Sequence, residues 1–136
     1  MSDSTVSAWQ RGSARLAIAF AVFLAVAEVV RNWGNWGFWP FWVVDYLAVA
    51  LLAVGAVRTL RSGTASLWLS GGWGFTCAMF WMSFFSHVAE LRADPNAADH
   101  GPIEHWRLTA TIGFLFALTI LGFALSLRPD RHPPAA

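Results

Sequence analysis

Four long apolar runs fill most of the chain, each close to the ~20 residues that a helix needs to cross a hydrocarbon core. They set the solvent before they set anything else. The runs extend from Arg15 to Arg31, Trp39 to Val57, Ser66 to Ser86 and Leu108 to Leu127, and the segments joining them are too short to fold as a separate domain. The expected fold is therefore an all-α integral membrane protein, a four-transmembrane-helix bundle with both termini cytoplasmic. Residues 1–136 form one transmembrane domain with spans at 15–31, 39–57, 66–86 and 108–127, an outer loop at 87–107 and short tails. Composition agrees: charged residues make up 12% of the chain, about half of the ~25% usual in a soluble domain.

The charge pattern excludes some partners and orients the rest. All nine basic side chains are arginine, they are scattered, and the net charge is +1, which argues against a nucleic-acid partner and leaves no polybasic lipid-binding tract. Positively charged loops tend to stay in the cytoplasm. Arg11 and Arg15 precede the first run, Arg58 and Arg61 link the second and third, and Arg128 and Arg131 follow the fourth. Those segments are expected inside. Arg31, Arg92 and Arg107 fall on the opposite side, where Glu90, Asp94, Asp99 and Glu104 leave the balance acidic. An even number of spans puts both termini on one side, in agreement with the arginines, and a bacterial inner membrane is the expected location.

Arg11 and Arg15, the apolar stretch after them and Ala25-Val26-Ala27 imitate a secretory signal peptide. The apolar stretch continues beyond those small residues to Val30, so the segment is read as a true first helix. The single cysteine, Cys77, falls mid-run, where a small apolar filler is its simplest role.

Indole rings prefer the headgroup level, and seven of the nine tryptophans are placed accordingly. Trp33, Trp36, Trp39 and Trp42 recur every three residues at the first outer crossing, Trp106 opens the fourth span at the same level, and Trp9 and Trp68 lie near the inner surface. The set reads as an interface belt, with a stacking platform for a quinone, carotenoid or tetrapyrrole as the functional alternative. Gly34 and Gly37 permit a tight turn there, and Pro40 suits the first turn of a helix. Ala48, Ala50, Ala53, Gly55 and Ala56 in the second run, Ser70-Gly71-Gly72-Trp73-Gly74 in the third, and Thr109, Thr111, Gly113, Thr119 and Gly122 in the fourth allow close helix packing.

Ionisable groups inside a span are costly unless paired or hydrated, so each is a candidate for function. Asp45 lies six residues past Trp39, roughly 9 Å into the second helix at about 1.5 Å per residue. Its expected partners are Arg31, His87, Arg107 or an indole N–H. Glu28 stands three residues before Arg31, a spacing that permits an intrahelical ion pair. Glu28, Asp45, Arg31 and Arg107 form the expected buried polar set. His87, Glu90, His100, Glu104 and His105 cluster in or beside the outer loop, and imidazole with carboxylate suits zinc, copper or iron. His87 and Glu90 share a helical face if the third helix extends past Ser86, and His87 is also the best axial candidate for a haem or chlorophyll. The spacing matches no established metal motif, no catalytic residues are nominated, and no particular cofactor is specified. In the same loop Asp94-Pro95-Asn96 is a turn signal, and Gly101-Pro102 breaks any helix before the fourth run restarts.

Three function classes remain. The leading one is a non-catalytic accessory or structural subunit of a larger respiratory or photosynthetic membrane complex. The others are a small membrane metal-binding protein or enzyme using the outer histidines and carboxylates, and an oligomeric transporter or channel with Asp45 on the pathway. Expected partners are the lipid bilayer and other membrane subunits or further copies of the chain.

Overall fold

A computed structural model describes residues 7–34, 39–63, 66–93 and 105–128, and they form four helices: α1 (Ala8–Asn32), α2 (Trp39–Ser62), α3 (Leu67–Ala93) and α4 (His105–Ser126). All four outrun the apolar segments that predict them, because a helix ends where caps and propensity end it, whereas hydropathy marks only where the solvent changes. α1 starts early because Ser7 and Gln10 make a capping box. The Ser7 hydroxyl accepts from the Gln10 backbone N–H at 3.0 Å, and the Ser7 N–H donates to Gln10 Oε1 at 3.2 Å. α3 continues past Ser86 because Ala89, Glu90, Leu91 and Arg92 are good helix formers. The expected outer loop 87–107 is therefore shorter at both ends, with His87 and Glu90 in α3 and His105, Trp106 and Arg107 in α4. The loop's turn signals at 94–96 and 101–102 lie outside the described residues.

Among the described residues, three helices are long and apolar enough to cross a membrane: Ala8–Asn32, Trp42–Ser62 and His105–Ser126. α3 is the longest at 27 residues, yet it falls short in hydropathy. Its glycines, serines and tryptophans score poorly even though no Asp, Glu or Arg interrupts it between Leu67 and Ala89.

The helices form an antiparallel ring in which each packs on its neighbours in sequence and α4 closes on α1; α1 touches α3 across the diagonal, while α2 and α4 do not meet among the described residues. One end of the ring carries Arg11, Arg15, Arg58, Arg61 and Arg128. The opposite end carries Glu28, Asp45, His87, Glu90 and His105.

The interior is unlike that of a soluble bundle. Fully buried Trp73 fills the centre, with its ring edge-on to Phe20 at 5.7 Å. Its indole N–H donates to Ser13 Oγ at 2.9 Å, and that hydroxyl donates to the Gly122 carbonyl at 2.8 Å, so α3, α1 and α4 are joined by one chain of hydrogen bonds. Thr59, Thr76, Thr109, Thr119 and Ser126 are also buried, whereas Val22, Val30, Met82 and Phe114 project outward. Small interior residues, interhelical hydrogen bonds and an apolar exterior are what association in lipid selects, because burying a leucine there gains little over leaving it among acyl chains.

Glycine sets the helix separation at particular crossings. A Cβ on Gly55 would stand 2.6 Å from the backbone of Leu69, and one on Gly72 would stand 3.0 Å from that of Leu51, so α2 and α3 run in near backbone contact. Gly122 makes room for Trp73, where a Cβ would stand 2.4 Å from the indole. Gly34 ends α1 with φ +78°, the left-handed conformation that glycine adopts without penalty.

Candidate functional site

The end of the ring away from the arginine-rich termini gathers ionisable groups into two clusters. The first lies between α1 and α2. Glu28 is buried, and its Oε1 accepts a 2.8 Å hydrogen bond from Asn32 Nδ2, which also donates to the Glu28 carbonyl at 2.9 Å. Asn32 thus grips Glu28 one turn away, a contact the sequence assigned to Arg31. Half-buried Asp45 lies against the Glu28 carboxyl, with the Arg31 guanidinium nearby. Arg31 is among the partners expected for Asp45, but Glu28 is not. The connection between α1 and α2 is short, so residues at similar offsets on either side of it face each other at equal depth. Arg31 and Arg107, grouped by the sequence with the buried polar residues, are exposed. Both stand near helix ends, where a long side chain can carry its charge out to water.

The second cluster lies between α3 and α4. His87 and Glu90 share a face of α3 at an i,i+3 spacing, with His87 Nδ1 at 3.3 Å from Glu90 Oε2. From the first turn of α4, His105 Nε2 reaches the same oxygen at 3.8 Å. The two imidazole rings stand 5.8 Å apart at an interplanar angle of 82°. The side chain of His105 is 4% exposed, that of His87 16% and that of Glu90 51%, so packing holds both rings while the carboxylate reaches water. The sequence placed His105 in a loop open to water, with His87 alone against the membrane. The structure makes His105 the more buried of the two, because α4 begins at that residue and turns its ring onto α3. His100 and Glu104, the other nominated ligands, lie outside the described residues.

The tryptophan belt is displayed as far as it is described. Trp33, Trp39 and Trp106 are exposed, Trp42 is half-buried with its ring edge-on to Tyr46 at 6.2 Å, and Trp36 lies outside the described residues. Arginine guanidinium groups lie over indole faces at both ends. Arg58 sits on Trp68 at 5.3 Å and Arg128 on Trp9 at 5.1 Å at the arginine-rich end, and Arg107 sits on Trp106 at 5.3 Å at the other. Near mid-span, Cys77 is half-buried, and its Sγ donates to Thr119 Oγ1 at 3.2 Å. It borders a shallow apolar groove between α3 and α4 lined with Trp81, Phe116, Ile120 and Phe123. Comparisons with protein-family models, with characterised proteins and with solved structures give no match.

Proposed function

We propose that the chain is a four-span protein of a bacterial inner membrane, with both termini cytoplasmic, that serves as a non-catalytic accessory subunit packed against a larger respiratory or photosynthetic membrane complex. Two levels of arginine-on-tryptophan pairs, one at each end of the bundle, support the spanning orientation, since both side chains favour the headgroup region. At 27 residues α3 is about 40 Å long at 1.5 Å per residue, ample for a hydrocarbon core of about 30 Å. Reporter fusions after Ser62 and Asn96 are expected on opposite sides, the first cytoplasmic. Fusions reporting the same side would rule out the four-span arrangement.

The observation that carries the accessory role is the outer face of α3. This helix falls short of the other three in hydropathy, yet it leaves Gly71, Ala78, Trp81, Met82 and Phe85 exposed. Small residues followed by large flat ones make a surface that a partner helix can approach closely. Purified in mild detergent at native expression, the chain is expected to co-migrate with a larger membrane assembly. Ala78→Trp should release it, whereas Val22→Trp, on the exposed face of α1, should not. Migration of the unaltered chain as a lone monomer would refute the proposal.

A further inference from the structure

Packing alone does not account for the cluster between α3 and α4, where two imidazole nitrogens converge on one carboxylate oxygen. We propose that His87, Glu90 and His105 form a binding site for a borderline divalent transition-metal ion of the zinc or copper kind, filled from the aqueous phase at that end of the bundle. The site is independent of the accessory role.

The donor atoms of the three residues lie within 4.8 Å of one another. Four-coordinate zinc holds nitrogen and oxygen ligands at about 2.0–2.2 Å, which places neighbouring ligand atoms about 3.4 Å apart. The His87–Glu90 and Glu90–His105 separations of 3.3 and 3.8 Å already bracket that value. Closing the widest gap takes a shift on the order of 1 Å, which rotation about the side-chain torsions of Glu90 and the histidines can supply. Two imidazoles with one carboxylate suit zinc, copper, nickel or iron, whereas calcium and magnesium prefer all-oxygen sets. Both histidines are held by packing on helices, which reduces the ordering that binding requires. Glu90 faces water, giving the ion an entry route, and three protein ligands leave a fourth position for a water molecule. Because two ligands come from α3 and one from α4, a bound ion also ties the ends of those helices together.

The test uses this chain in detergent, stripped with a chelator and titrated in separate samples with Zn²⁺ and with Co²⁺. One ion per chain is expected, with the intense visible absorption of low-coordinate cobalt and a thermal unfolding temperature that rises with free Zn²⁺. His87→Ala, Glu90→Gln and His105→Ala should each weaken binding by at least the 10- to 100-fold that loss of an outer-shell partner costs. Glu90→Gln keeps the shape of a half-exposed side chain, and unfolding measured without metal separates loss of a ligand from loss of the fold. The proposal is overturned if the unaltered chain takes up no stoichiometric ion, or if Glu90→Gln and His105→Ala fold normally and bind as tightly as the parent.

Discussion

Replacing Trp73 with alanine is expected to lower the stability of the detergent-solubilised bundle by about 3–5 kcal/mol, the range for truncating a large buried aromatic. Trp73 is completely buried, packs edge-on against Phe20 and occupies the space left open by Gly122. In lipid the lost packing is the main term, since burying apolar surface between helices brings little hydrophobic gain. Trp73→Phe should cost less but leaves Ser13 Oγ without its indole donor. Loss of that hydrogen bond should account for about 0.5–1.5 kcal/mol of the difference. Denaturation in mixed micelles reads both values. If Trp73→Ala were no more disruptive than Val22→Ala, at a side chain that faces outward, the central position assigned to the indole would be wrong.

Gly55→Val should be nearly as damaging for a different reason. Its first added carbon would fall 2.6 Å from Leu69 Cα and N and 2.7 Å from the Trp68 carbonyl carbon, all main-chain atoms that no rotamer change can move. α2 and α3 must separate along the crossing, and a cost of at least the 1–3 kcal/mol typical of overpacking is expected, about 1 for Gly55→Ala and more for valine. Gly71 provides the control, because nothing lies within 4 Å of the corresponding Cβ. Gly71→Ala should stabilise the isolated chain by about 0.5–1 kcal/mol through helix propensity. Equal destabilisation by alanine at both positions would show that the α2–α3 crossing is looser than its backbone distances indicate.

The number and order of the helices were legible because lipid leaves an apolar run little choice but to be helical. Their ends were not. The start of α1 depends on the reciprocal Ser7–Gln10 hydrogen bonds, and the last turns of α3 depend on helix formers that are also charged, where a hydropathy reading sees a loop. The same limit hid half of the histidine cluster. The spacing of His87 and Glu90 pointed to a shared face, but bringing in His105 required the register of α4 against α3, which no local pattern carries. Trp73 was read only as part of a small-residue segment, and Ser13 was not singled out, since a hydroxyl beside Arg15 looks like an ordinary helix-start residue. Their significance appears only when Gly122 of α4 is opposite both.

The hydrogen-bonded chain from Trp73 through Ser13 to Gly122 also orders events in time. Ser13 leaves the ribosome before either of its partners, which stand on α3 and α4, more than a hundred residues downstream in the second case. Individual helices can enter a bilayer as independent units before they associate. In the proposed four-span arrangement, α1 would stand beside α2 with Ser13 turned toward an unfilled centre until α4 follows. Closure of the ring would then be a late step, after insertion, and a chain truncated before α4 would display that hydroxyl, and the indole behind it, to the machinery that inspects unassembled membrane proteins.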